Sequence, residues 1–223
     1  MGVHPPAFLD RVDAGRRLAQ KLLAYTGHPH GVVLALPRGG VVIGAEVARA
    51  LHLPLDVLVV RKLGVPEQPE LAMGAISGSK VELWRGLIEE LGITPSEVAL
   101  VIEREAQELR RREQRYRSGL PPLDLEGKLV IVVDDGVATG ATMRVALRVV
   151  QQHKPAYVIA AAPVMSPESA ALLEKDANLV VSVILSDEGR SVGAWYRDFS
   201  QVSDEEVITL LAQFRSPPSH SAN

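Results

Sequence analysis

The sequence predicts an α/β protein: a doubly wound, mainly parallel five-stranded sheet with an insertion after the second strand and a C-terminal cap. Three observations carry this reading. Short apolar runs at 31–36 (GVVLAL), 55–60 (LDVLVV), 129–133 (LVIVV), 156–162 (AYVIAAA) and 179–185 (LVVSVIL) hardly alternate, as befits parallel strands buried on both faces. Helical patterns separate most of these runs, and the first two are joined by a turn and a helix within about thirty residues, the length of a crossover unit. Finally, 47% of the chain is hydrophobic but only 4% aromatic, so Val, Leu, Ile and Ala must build the core.

In chain order, Val12, Leu18, Leu22 and Leu23 recur at helical spacing across 8–25, behind Asp10 as N-cap. The strand at 31–36 meets a sharp turn, 37–40 (PRGG), and an Ala-rich helix follows at 41–51. The strand at 55–60 runs straight into Arg61-Lys62. Between 63 and 127 the pattern loosens. Gly64, Pro66, Pro69 and Gly74 mark a mobile loop, 75–76 and 81–84 flank Gly78-Ser79 as a hairpin, and Thr94 or Ser96 caps a long polar helix to Arg117. The strand at 129–133 leads through a loop, 134–140, into a helix at 141–153. Helices at 167–175 and 203–214 complete the pattern. Residues 1–215 thus read as a single domain, with 63–127 as insertion, 186–215 as cap and terminal helix, and 216–223 as a frayed tail.

Composition narrows the functions. With no cysteine, disulfide and thiolate chemistry are excluded. The start, MGVHPPAFLDRVDAG, carries no apolar stretch behind a basic one, and no run of 18 apolar residues exists, so the expected setting is the cytoplasm, without a membrane. A net charge of −3 gives no global attraction to nucleic acid. His28 and His30 sit in a Pro/Gly loop without companions, which argues against metal ligation by them.

The segment that decides the reading is 130–142, VIVVDDGVATGAT. A buried strand delivers two carboxylates to its carboxyl end, where open α/β sheets bind ligands. A loop of small and hydroxyl residues then opens a helix, whose first N–H groups have no intrahelical partner and form an anion site. Gly140 admits a phosphate close to the backbone, and Thr139 and Thr142 add hydroxyls. Asp134 and Asp135 would repel that phosphate, but they suit a diol or a bound cation. Phosphate plus vicinal diol is a ribose 5-phosphate. A bare Asp-Gly turn with Thr139 as helix cap is the plain alternative for any three of these residues. A P-loop is excluded because 136–142 lacks its Lys, and a haloacid-type phosphatase because Asp134-Asp135-Gly136 lacks the DxD spacing.

This motif resembles the signature of the type I phosphoribosyltransferases: apolar strand, acidic pair, two variable residues, then a small-Thr-Gly loop. The order and spacing of strands fit that family from about residue 10 to 185, and the chain is most similar to a bacterial subgroup of undefined acceptor. The resemblance implies a pentosyltransferase of nucleotide salvage that takes 5-phosphoribosyl-1-pyrophosphate and Mg²⁺ and phosphoribosylates a nucleobase-like nitrogen acceptor. By it, Asp134 and Asp135 hold the ribose hydroxyls and, partly through ligand or water, the Mg²⁺. Ala138, Thr139, Gly140, Ala141 and Thr142 cradle the 5-phosphate. Arg38, Gly39 and Gly40 hold pyrophosphate, helped by Arg61 and Lys62, and the catalytic set is Asp134, Asp135, Arg38 and Lys62. It further implies a cis peptide between Pro37 and Arg38, a closing lid at 64–74, for which a plain surface connection is the equal alternative, and a hood in which Trp195, Tyr196 and Phe199 stack on the acceptor. Core packing of those aromatics is the alternative.

Two departures stand out. Gly136 replaces a usual apolar residue, so the loop is expected to be more pliable. Ala138 stands where hypoxanthine-guanine enzymes carry an aspartate, and resembles the loops of adenine, xanthine and uracil enzymes. The stretch 104–117 holds six arginines against three glutamates, but Glu108–Arg112 and Glu113–Arg117 are i,i+4 pairs of a solvated helix, so nucleic acid is not expected. A donor-sensing regulator without turnover is the second reading; Arg38 and Arg61-Lys62 favour the enzyme. A homodimer is left open.

Overall fold

The strand residues sort by parity. In the computed structural model, which describes residues 6–215, β1 (Gly31–Ala35) and β6 (Leu129–Val133) are buried at every position. Val33, Ala35, Ile131 and Val133 join one core with Ile159 and Ala161; Val32, Leu34, Val130 and Val132 join the opposite core with Val158 and Ala160. In these central strands the non-alternating apolar runs are buried on both faces, as expected, whereas the run at 179–185, which forms an edge strand, is only half-buried with Leu185 exposed. The sheet order is β2-β1-β6-β7-β8, all parallel, with β2 Leu55–Val57, β7 Tyr157–Met165 and β8 Leu179–Leu185. One face is covered by α1 (Arg11–Lys21), α2 (Gly39–Leu51) and α7 (Asp204–Ala212), the other by α5 (Ala141–Gln151) and α6 (Pro167–Leu173). Full burial of one Val, Leu or Ile side chain is worth roughly 1.5–3 kcal/mol. The five buried residues of β6 thus anchor the acidic pair that follows them.

The helices start where sequence chemistry says they should. Asp10 accepts from the Asp13 amide to cap α1, and Thr94 and Glu97 form a capping box on α4 (Pro95–Arg117). Ser203 and Glu206 do the same on α7. β7 overruns its expected end at 162 because its ladder with β6 finishes at Ala161 while pairing with β8 continues to Met165. Pro163, which reads as a strand breaker, falls where β6 no longer needs its amide.

The insertion differs from expectation. The run 55–60 is not one strand: β2 stops at Val57, where its partner β1 ends, and Arg61 opens a separate antiparallel sheet of β3 (Arg61–Val65), β4 (Gln68–Ser77) and β5 (Lys80–Leu83). The Gly/Pro-rich stretch 64–74 is accordingly not a loop but the β3–β4 hairpin. Its glycines serve close strand approach, since a Cβ on Gly64 would lie 2.5 Å from the Pro69 carbonyl oxygen and one on Gly74 2.3 Å from that of Glu82. The hairpin expected around Gly78-Ser79 is present, closed by Ser77↔Lys80. A short helix α3 (Arg85–Glu90) was not foreseen. Five of the six α4 arginines have ion-pair partners among the described residues: Arg104 with Glu105, Arg111 and Arg112 with Glu108, Arg115 with Asp204 and Glu205 of α7, and Arg117 with Asp56 of β2 rather than with Glu113. Among the described residues no helix is long and apolar enough to cross a membrane. The tail expected to fray, 216–223, lies outside the described residues.

Candidate functional site

Two loops leave the sheet side by side. β1 and β6 pair in register up to Ala35↔Val133, so the chain emerges from them at the same level. The Leu36 amide donates to the Val133 carbonyl at 2.9 Å. A Cβ on Gly40 would stand 2.9 Å from that same oxygen and 3.0 Å from the Asp134 Cα, and one on Gly39 only 1.9 Å from Asp135 Oδ2. The paired glycines are thus what lets this first loop lie on the acidic doublet. The Pro37–Arg38 peptide is cis, matching expectation. Arg38 stands at the N-cap of α2.

Asp135 is held at three atoms. Its amide donates to Asp134 Oδ1 at 2.8 Å, its carbonyl accepts from the Tyr196 hydroxyl at 2.5 Å, and its Oδ2 accepts from Arg11 Nε at 2.8 Å. Burial, and then the Asp135 charge beside it, push the Asp134 carboxyl above the ordinary carboxylate range. Two adjacent carboxylates in so enclosed a place call for positive charge. Arg11 supplies one, and a divalent cation of the magnesium kind, taking oxygen ligands, fits the remainder. Among the described residues there is no cluster of three or more His, Cys, Asp or Glu, so such an ion would draw ligands from water or substrate as well.

The hydroxyl-rich loop is set by its neighbours. Val137 bridges to Met165 on the overhang of β7, donating to the Val164 carbonyl at 2.9 Å. The Ala138 carbonyl accepts from Ser169 Oγ at 2.7 Å and Ser166 Oγ at 3.2 Å, which ties that side of the loop to α6. Gly140 turns with φ +77°, a conformation glycine adopts without strain, and caps α5. Ala138, Thr139, Ala141 and Thr142 are left exposed around a small hollow of about 200 Å³ that Asp134 also lines. The predicted phosphate cradle and acidic pair therefore share one wall.

Gly136 is the exception to its expected role. A Cβ there would meet Val192 Cγ1 at 2.3 Å, so the position is not slack. The apolar group absent from Gly136 arrives from the C-terminal segment, in the 3₁₀ turn Val192–Trp195. Val192 borders the phosphate hollow and two larger clefts of about 540 and 530 Å³. The first of these includes Arg11, Arg38, Gly39, Asp134 and Asp135; the second includes Ala138, Ser186, Asp187, Arg190 and Trp195.

Three expected site residues are placed otherwise. Tyr196 is 5% exposed, with ring centroids of Phe8 at 5.2 Å and Phe199 at 4.9 Å, and Phe199 carries the Arg11 guanidinium 3.8 Å from its own centroid. The Tyr196 ring is spent on packing; Phe199, half-buried under Arg11, also lines the cleft of Arg38 and Asp134, and Trp195, half-buried with Arg190 over it at 5.0 Å, lines the other cleft. Arg61 directs Nε and Nη2 at Glu105 Oε2, 2.9 and 2.6 Å away. It offsets a glutamate only 8% exposed, and it lies on β3 rather than at the carboxyl edge of a parallel strand. Lys62 follows on β3 opposite Ala75, and neither residue lines the cleft of Arg38 and Asp134. Arg11 was missed outright. It is 124 residues from Asp135 in sequence, and nothing around it but a helix cap signals a role.

A model of the phosphoribosyl transferase domain matches residues 7–196. A Mycobacterium tuberculosis protein whose name places it among the phosphoribosyl transferases is 42% identical over 205 residues, 92% of this chain and 46% of the relative. The chain thus spans about half the length of the curated relatives it matches. A uracil phosphoribosyltransferase of Aquifex aeolicus is 38% identical over 60 residues, 27% of this chain and 28% of its own. The crystal structure of TT1426 from Thermus thermophilus superposes with a TM-score of 0.86 at 42% identity, covering 94% of this chain and 99% of that one.

Proposed function

The chain belongs to the phosphoribosyl transferase family, and from that premise we propose that it binds 5-phosphoribosyl-1-pyrophosphate with Mg²⁺ and transfers the phosphoribosyl group to a nucleobase-like nitrogen. The observation that supports this most is the junction of three parts at one sheet edge. The acidic pair, the hydroxyl loop and a glycine turn lie so close that Gly39 and Gly40 leave no space for a Cβ against Asp134 and Asp135.

In this reading the 5-phosphate takes the exposed side of 138–142, and the ribose hydroxyls donate to Asp134 and Asp135. Arg38 and the backbone of Gly39 and Gly40 face the pyrophosphate. Mg²⁺, when bound, neutralises charge shared by the leaving group and the ribose. The bond from C1′ to pyrophosphate oxygen breaks with its electron pair leaving on pyrophosphate, and the acceptor nitrogen, which gives up a proton, bonds to the oxocarbenium-like carbon. The protein's own part is electrostatic and positional: Arg38 meets charge growing on the leaving group while the acidic pair holds the sugar in line. The cleft with Trp195, Ser186 and Asp187 is the acceptor seat, opening beside Ala138 and Val192.

Calorimetry with donor and Mg²⁺ tests the assignment. The wild-type chain should bind, and the Asp134→Asn/Asp135→Asn variant, verified as folded by its circular dichroism at the assay temperature, should lose binding. Equal affinity of the two would refute the reading. Pyrophosphate release across purines, pyrimidines and amines then reads turnover.

A further inference from the structure

We propose that Arg11 is a positioning residue of the donor site, acting through Asp135; the inference rests on the donor-binding reading above. Its side chain is 11% exposed and Asp135's 18%, so the ion pair is largely shielded from water. The guanidinium is fixed on three sides. Nε donates to Asp135 Oδ2 at 2.8 Å, Nη1 donates to the Ser200 carbonyl at 2.8 Å, and the planar face lies 3.8 Å from the centre of the Phe199 ring. A Cβ on Gly39 would also sit 2.8 Å from Arg11 Nε, so the glycine turn closes the fourth side.

This arrangement assigns the two Asp135 oxygens different work. Oδ2 is held by Arg11, which turns Oδ1 toward any ligand that approaches the doublet. Arg11 also offsets one negative charge where a polyanionic donor must bind. A lysine cannot reproduce the role, because an ammonium lacks the flat fork that serves Asp135 and Ser200 while stacking on a ring. Since Ser200 and Phe199 belong to the segment after β8, Arg11 further ties that wall to the ribose end of the site.

The test measures three ligands on the full chain by calorimetry with Mg²⁺: the donor, ribose 5-phosphate and inorganic pyrophosphate. Arg11→Met keeps the apolar contact with Phe199 but removes the charge and the donors. It should weaken donor and ribose 5-phosphate by a similar factor, about tenfold or more for a lost charge-assisted hydrogen bond, and weaken pyrophosphate by a smaller factor through the lost charge alone. Arg11→Lys should recover only part of the loss. Phe199→Leu, which removes the ring beneath the guanidinium, should shift the sugar ligands in the same direction by less. Weakened pyrophosphate with intact ribose 5-phosphate would overturn the proposal in favour of direct contact with the leaving group. Unchanged affinity for all three would overturn it as well. If the wild type bound neither donor nor ribose 5-phosphate, the donor-site reading itself would fall, which separates the two failures.

Discussion

Replacing Gly136 with alanine puts a methyl group where Val192 already stands. The new Cβ would lie 2.3 Å from Val192 Cγ1, 2.9 Å from Cγ2 and 3.1 Å from Cβ, well inside van der Waals contact. Overpacking of this kind costs roughly 1–3 kcal/mol, and at this chain length each 1 kcal/mol lowers the melting temperature by about 2–4 °C. Val192→Ala alone removes two methyl groups from a half-buried side chain. At about 0.8 kcal/mol per fully buried group, that comes to about 1 kcal/mol. The double variant removes both clashing methyls and keeps only the milder 3.1 Å approach. It should therefore be more stable than the sum of the single losses by about 1 kcal/mol or more. Urea melts of the four proteins measure this coupling. Additivity within about 0.5 kcal/mol, the behaviour of independent sites, would refute the claim that Val192 fills the space over Gly136.

Arg61→Ala should lower stability by about 1–2 kcal/mol: Glu105, 8% exposed, keeps the more exposed Arg104 at 3.1 Å, and the loss is discounted from the value for fully buried pairs because Arg61 is 29% exposed. Donor affinity should hold, and a pyrophosphate-specific loss in calorimetry would reinstate Arg61 as a ligand contact. Tyr116 is a pH probe: burial, and then its hydrogen bond to Asp204, push the phenol up to about 12. Between pH 10 and 12 the unfolded chain releases this proton while the native chain keeps it, so stability falls as pH rises. Tyr116→Phe should flatten that alkaline decline by up to about 1.4 kcal/mol per pH unit, one proton's worth; parallel curves from urea melts at pH 9 to 12 would disprove the assignment.

What was legible in the sequence is what local chemistry encodes. The β6 strand, the acidic doublet and the helix start behind Gly140 are contiguous, so their geometry follows from one stretch of chain. The cores on the two sheet faces follow likewise from the apolar central strands, although the equally apolar run at 179–185 is half-solvated because it lies at the sheet edge, which its sequence does not show. What stayed hidden depends on partners distant in sequence. Arg61 read as a phosphate contact because 55–60 looks like one strand, whereas β2 stops where β1 runs out of pairing residues. Tyr196 read as a stacking residue because exposed and buried aromatics look alike until Phe8, nearly the whole chain away, is seen against its ring. Gly136 read as slack because the side chain that fills it belongs to Val192.

Under the proposed function, the donor and acceptor ends of the site are built to different standards of rigidity. The donor floor rises from β6, whose residues are all buried, and is pinned by hydrogen bonds at Asp134, Asp135 and Ala138. The acceptor wall comes from the segment between β8 and α7, whose only regular element is one 3₁₀ turn and whose Asp187, Glu188 and Gly189 are exposed. Side chains there can change without disturbing the sheet, as loops on a rigid scaffold do. Val192 is where the two standards meet: it belongs to the C-terminal wall, yet it packs so closely over Gly136 that a Cβ there would lie 2.3 Å from its Cγ1. Under the proposed function, selectivity for the acceptor would rest on the residues that flank Val192, chiefly Ser186, Asp187, Arg190 and Trp195, while Val192 itself packs on the 134–140 loop.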